Sequence, residues 1–243
     1  MLRRLLPLLA LLTTAPAFAQ APEEDEDDEI PTSLNGVGRI SIQGGWRVTS
    51  NETLYTSWYG RTENQGLARA REVSGGPLVI GSFAYAMSDL VEVGIDLFGT
   101  GGKLYLREPD GSERSINLLS YGAMIGLRFQ TVLPEVGPYG LVPFVGLFTG
   151  PALVSSKRQG EAVQESTTQA WVGTLGATWR LSSRWGLTAE YRLSFLRGPV
   201  GAPETENNNR RIGSFSAGGN WLSVGVTYTF PPEPSRPLPD GFL

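Results

Sequence analysis

Two acidic residues, Glu92 and Asp96, stand four positions apart in a segment whose intervening odd-numbered residues are apolar. If the segment is a β-strand, both carboxylates lie on one face. Such a pair could act as general acid and base, or it could pair with cations. The chain has no histidine and no cysteine, so the usual base, nucleophile and metal ligands are missing. We therefore expect salt bridges here, and no catalytic, cofactor or metal site in the protein.

In the segments that carry these residues, apolar residues alternate with polar or small ones, and this period of two is typical of strands. Eight such segments follow residue 36, near residues 40–48, 78–87, 91–107, 119–129, 144–154, 171–180, 185–195 and 222–230. An even number of strands with apolar residues on one phase is typical of a closed barrel in a membrane. The sequence predicts an all-β fold, an eight-stranded antiparallel up-and-down transmembrane β-barrel over residues 36–230. Prolines 138, 143 and 151 crowd the fifth strand, so its phase stays open.

Charged residues recur on the phase opposite to the large apolar side chains. Three acids and four bases share this phase: Arg47, Glu92, Asp96, Arg128, Arg180, Glu190 and Arg192. An arginine facing lipid near the midplane costs about 2–4 kcal/mol, so these residues are expected inside the barrel. The interior of an eight-stranded barrel is just wide enough for side chains to fill. We predict a salt-bridged plug and no open pore.

The connections alternate between short and long. Short turns near residues 88–89 and 182–183 are expected in the periplasm, and the long loops outside the cell. The first long loop contains Trp58 and Tyr59. We expect both rings to be exposed and to form a contact surface, because a rigid barrel usually carries function on its loops.

Both ends of the chain differ from the barrel body. Residues 1–19 read as a cleaved secretory signal peptide, with Arg3 and Arg4 before a short apolar run and a small-x-small site at residues 17–19. An acidic segment, residues 20–35, is expected to be solvated in the periplasm, as is the Pro-rich tail of residues 231–243. We therefore expect the protein to be exported and to reside in the bacterial outer membrane. No nucleic-acid partner is expected.

The last strand resembles the C-terminal assembly signal of outer-membrane barrels: polar, any residue, glycine, two residues, aromatic, any residue, aromatic. In residues 223–230 the matching positions are Gly225, Tyr228 and Phe230. The whole body resembles the small eight-stranded barrel family typified by the OmpA transmembrane domain and OmpX. The resemblance implies that the barrel-assembly machinery recognises the last strand. It also implies that outer-membrane lipids and lipopolysaccharide surround the barrel.

These patterns favour a non-enzymatic outer-membrane barrel with an envelope-structural role and loop-mediated interactions. Two alternatives remain open at this point. One is a small channel or transporter for small or hydrophobic solutes, similar to the OmpW group. The other is a soluble lipocalin-like barrel, which would place apolar residues inside and charges outside.

Overall fold

The computed structural model of the protein describes residues 33–200 and 213–230. Within these residues the elements are, in chain order, β1 Gly38–Val48, α1 Glu52–Tyr59, a 3-10 turn Thr62–Asn64, β2 Gly75–Ala86, β3 Val91–Arg107, β4 Glu113–Gln130, β5 Leu141–Arg158, β6 Gln164–Arg180, β7 Trp185–Phe195, β8 Arg197–Val200, β9 Gly213–Ser216 and β10 Gly219–Phe230. The predicted signal peptide, the acidic run at residues 23–29 and the Pro-rich tail lie outside the described residues.

Eight of these strands close into one barrel in the order β1-β10-β7-β6-β5-β4-β3-β2. Every neighbouring pair is antiparallel, and β10 closes the barrel against β1. The predicted eight-stranded antiparallel barrel is therefore confirmed. The chain of paired residues that starts at Gly44 and runs through β2, β3, β4 and β5 ends at Thr167 of β6. In the opposite direction, through β10 and β7, the chain of paired residues ends at Ala177 of β6, ten residues from Thr167. That stagger tilts the strands by about 40° to the barrel axis.

The outer surface of the barrel is an apolar belt. On β4 the outward side chains are between 44% and 58% exposed, and they are Leu119, Tyr121, Ile125, Leu127 and Phe129. The belt spans eleven positions of this strand, close to the length that a tilted strand needs to cross a bilayer. A soluble lipocalin-like barrel would have the reverse arrangement, so that alternative is wrong.

Aromatic rings lie near both edges of the belt. Trp46, Trp171 and Phe195 stand toward the end with long connections, called here the long-loop end. Tyr85, Trp179 and Trp185 stand toward the opposite end, called here the short-turn end. The tryptophan and tyrosine rings among them have an apolar body and a polar tip, and such rings favour the level of lipid headgroups.

The fifth strand is longer than the sequence indicated, and its phase is now fixed. Even-numbered residues from Val142 to Ser156 face inward and odd-numbered ones outward. Pro143 and Pro151 therefore lie on the outer face. The pairing of β4 with β5 is interrupted between Gly122–Ala152 and Ile125–Thr149, where Pro151 has no N–H to donate.

The long-loop end carries structure that alternation did not indicate. Helix α1 and the separate two-stranded sheet β8–β9 lie over the barrel mouth. Asn51, just before α1, accepts a hydrogen bond at Oδ1 from the Ser216 N–H at 2.9 Å, which ties the helix to β9. In the described part of the chain, no helix has the length and apolar character to cross a membrane.

Candidate functional site

The barrel interior holds a charge cluster, formed by Arg39, Glu92, Asp96, Arg128, Glu190 and Arg192. Arg128 of β4 lies at its centre. Its Nη1 is 3.3 Å from Glu92 Oε1, and its Nη2 is 3.3 Å from Asp96 Oδ2 and 3.8 Å from Glu190 Oε1. Both Glu92 and Asp96 are fully buried. One guanidinium thus serves three carboxylates, because it is planar and offers five N–H donors.

Arg192 completes the other side of the cluster. Its Nη1 is 2.7 Å from Asp96 Oδ2, and its Nη2 donates to Glu190 Oε2 at 2.9 Å. Glu190 also accepts hydrogen bonds from Thr174 Oγ1 and from Gln43 Nε2. Buried ions need both charge partners and hydrogen bonds to offset their loss of hydration. Three acids and three arginines supply both here.

Arg39 is a further member of the cluster, and the alternation traced from residue 40 did not include it. Its Nη2 donates to Glu92 Oε2 and to Gln130 Oε1. Arg39 precedes the apolar run of β1 and shares the inward phase of Ser41 and Gln43. Extending the alternation by one residue would have placed it inside the barrel.

The structure places all seven predicted interior charges on the inward phase, each at most 6% exposed. Five of them belong to the charge cluster, and two do not. Arg47 lies nearer the long-loop end, where its guanidinium donates to the backbone oxygens of Ser216 and Gly101. Arg180 is buried at the short-turn end of β6.

Aromatic rings pack against the cluster. The Arg128 guanidinium lies 4.8 Å from the centroid of Phe148 and 5.2 Å from that of Phe144. Further toward the long-loop end, Phe98 and Trp221 meet at 5.1 Å between ring centroids. Their neighbours Ile80 and Met124 are also buried in this apolar layer. Cations stacked on rings lose water at smaller cost than isolated ones.

The lumen beside the charge cluster contains a small cavity of about 20 Å³, lined by Arg39, Gln43 and three threonines of β6, β7 and β10 among others. That volume is about the size of one water molecule. Among the described residues, no three acidic side chains gather as ligands of a metal ion would. The side chains around this cavity are therefore closely packed.

The aromatic residues of the first loop are not exposed, and this expectation is wrong. Trp58 is 6% exposed, and its Nε1 donates to the Arg107 oxygen at 3.0 Å. Tyr59 is half-buried, and its hydroxyl accepts from the Ala70 and Arg107 N–H groups. Leu54 and Trp58 lie four positions apart on α1, so both side chains face the barrel mouth. Burial of these apolar side chains there is more favourable than their exposure to water. These residues form a loop cap over the barrel.

Burial also affects a third ring of the cap. Tyr55, next to Leu54 on α1, is 3% exposed. Burial disfavours its charged form and raises the pKa of the Tyr55 hydroxyl to about 12. Tyr55 therefore belongs, with Leu54 and Trp58, to the buried face of α1.

The residues of the predicted assembly signal lie on the closing strand. Gly225 pairs with Gln43 of β1, and a Cβ built at Gly225 would come 2.0 Å from the Ile42 oxygen. Only glycine fits that approach. Tyr228 and Phe230 stack at 6.4 Å near the short-turn end. Whether assembly machinery reads them stays a prediction.

One carboxylate organises the short-turn end. Asp89, in the turn between β2 and β3, accepts at Oδ1 from Ser33 Oγ at 2.8 Å and from the N–H groups of Leu34 and Asn35 at 2.6 and 3.1 Å. These hydrogen bonds, with Ser33 the strongest cause, lower the pKa of the Asp89 carboxyl. The segment before β1 is thereby held to the barrel.

Closed strand order, apolar outer belt and charged interior together define a small eight-stranded barrel of the outer-membrane type. No protein-family model matches the sequence, and no curated protein matches it. Solved structures do match. OprG from Pseudomonas aeruginosa is similar at 11% identity, covering 83% of this chain and 99% of that one, with a TM-score of 0.54. At this identity the likeness shows a shared fold alone.

Two further solved structures cover similar shares. Neisserial surface protein A is 13% identical over 80% of this chain and 97% of its own, with a TM-score of 0.47. The outer membrane protein W of E. coli is 10% identical over 81% and 98%, also with a TM-score of 0.47.

Proposed function

We propose that the protein is a non-enzymatic, integral outer-membrane barrel with a closed lumen, whose contribution to the envelope lies in its rigid body and its extracellular face. The observation that carries this proposal is the filled interior. The charge cluster, the layer of Phe98 and Trp221, and the loop cap follow one another along the lumen. An enzyme or a transporter needs space for a substrate, and the cavity beside the charge cluster has room for about one water molecule.

Support for the membrane location comes from the outer surface. Large apolar side chains such as Leu147 and Val224 are 75% and 67% exposed. A contiguous apolar surface of this extent is unstable in water and stable in lipid. The fold shared with OprG fits the outer membrane, and the short-turn end is then periplasmic.

The extracellular face extends beyond the belt. The β3–β4 and β5–β6 hairpins reach turns at residues 108–112 and 159–163, and strands of 17 and 18 residues are longer than a bilayer requires. Trp58 is buried, so its ring is not an extracellular contact, and the turns of these hairpins are the proposed interaction surface.

A planar-bilayer recording tests the closed lumen. The recording uses purified protein whose unboiled band runs faster than its boiled band on SDS gels, which indicates a closed barrel. This protein is expected to give no steady conductance. The double variant F98A/W221A removes both rings of the apolar layer, and it is expected to give current events that wild type lacks. Stable conductance steps from wild type would overturn the closed lumen and favour the small-channel alternative.

A further inference from the structure

Both lysines of the 243-residue chain face the same residue. Lys103 of β3 pairs with Asn117 of β4, and Asn117 pairs on its other side with Lys157 of β5. All three side chains are exposed on the outer face of the barrel. Adjacent strands are about 4.8 Å apart, so the two lysines start about 10 Å from each other.

Lys103, Asn117 and Lys157 form a row that lies just above the apolar belt. On β4, Leu119 lies two positions below Asn117 and Tyr121 four positions below, and they are 51% and 44% exposed. Asn117 is thus the first outward polar residue above the belt. If the belt spans the bilayer, the lysines lie at the level of the outer headgroups. This step rests on the membrane location proposed above.

The charge of the row selects its ligand. Among the described contacts, neither lysine has an ion-pair partner. An exposed acid of β6, Glu165, pairs with Ser155 of β5, on the side of Lys157 away from Asn117. Two ammonium groups with an amide donor between them complement a phosphate monoester, which carries a charge of about −1.5 to −2 at neutral pH.

We infer that Lys103, Asn117 and Lys157 form a binding site for the phosphate monoester of a glycolipid headgroup in the outer leaflet. The lysines neutralise the phosphate, and the Asn117 amide donates to one of its oxygens. Leu119 and Tyr121 contact the acyl chains below. Strand tilt offsets the two lysines in height by a few Å, and their flexible stems can span that difference.

Titration of the folded, detergent-solubilised protein with diphosphoryl lipid A tests the site, with bound lipid counted by native mass spectrometry. The variant K103Q/K157Q is expected to bind about thirtyfold more weakly, about fivefold for each lost charge. K103R/K157R keeps the charges and should bind as wild type does. The matched control R114Q/R184Q removes two exposed arginines outside the row, and its affinity should not change.

Three results would overturn the inference. K103Q/K157Q could bind as tightly as wild type. Wild type could bind dephosphorylated lipid A equally well, which would show apolar adhesion only. Inorganic phosphate could compete at the concentration of the lipid, which would show a free-phosphate site. Each variant is first checked for the gel shift of a closed barrel, so a failed lipid site is distinguished from a failed membrane barrel.

Discussion

Arg192 Nη1 lies 2.7 Å from Asp96 Oδ2, and this ion pair joins β7 to β3 across the full width of the lumen. The two strands are four positions apart in either direction around the barrel. No backbone hydrogen bond can connect them at that separation. The charge cluster therefore braces the barrel in a direction that the strand ladder does not.

Breaking this brace on one side should be costly. The variant D96A leaves Arg128 and Arg192 short of a carboxylate in a dry interior, and a loss of about 3 kcal/mol in the free energy of unfolding is expected. The double variant D96A/R192A should lose less than the sum of the single losses. Urea unfolding in lipid vesicles, followed by tryptophan fluorescence, measures both.

The matched control for the brace is E165A, since Glu165 is exposed. Its effect should stay within about 0.5 kcal/mol. If D96A were as mild as E165A, the cluster would not brace the barrel.

The loop cap should loosen when its central ring is removed. Trp58 is buried and hydrogen-bonded to the Arg107 oxygen, so W58A leaves a cavity and an unpaired carbonyl. We expect faster trypsin cleavage after Arg69 or Arg71, with the barrel gel shift retained. The control W171A removes a 58%-exposed ring from the outer belt. Equal cleavage rates for W58A and wild type would show that Trp58 does not hold the cap.

Barrel closure should depend on Gly225 of β10 and not on Gly44, which follows its β1 partner Gln43. A Cβ at Gly225 would clash with the Ile42 oxygen at 2.0 Å, whereas a Cβ at Gly44 meets nothing within 4 Å. The variant G225A is expected to refold with a reduced yield of the fast-running, unboiled gel band. G44A should match wild type. The same yield from both variants would contradict the close β1–β10 approach.

The short-turn end should respond to acid. Because the pKa of Asp89 is lowered from 3.8 in the folded state, its stabilising effect is complete above 3.8 and is lost as the pH falls through the lowered value. The Leu34 amide proton shift, followed by NMR in micelles, should titrate with a midpoint below 3.8. In D89N that shift should not titrate in this range. A wild-type midpoint at or above 3.8 would mean that the three hydrogen bonds to Asp89 do not form.

Much of the barrel could be predicted because strand alternation is local. Glu92 and Arg192 occupy the phase opposite to large apolar neighbours, and lipid leaves no other place for them. The same rule, extended by one residue, includes Arg39. The partners within the cluster could not be predicted, since they depend on which strands face each other across the lumen.

The rest depended on contacts distant in sequence. Trp58 is buried only because α1 folds back over the barrel mouth and meets Arg107. Nothing near residue 58 indicates that fold. The phase of β5 was open because Pro143 and Pro151 conflict with a paired strand, and the structure places both on the outer face. Helix packing and strand closure decide these positions, and neither is a local property.

The most direct test of a closed membrane barrel is the mobility of the protein from isolated outer membranes, on SDS gels of unboiled and boiled samples. We expect the protein in the outer-membrane fraction, with an unboiled band that runs faster than the boiled one, because a closed strand ladder resists SDS until it is heated. A single band with no shift, together with protein in the soluble periplasmic fraction, would contradict the account.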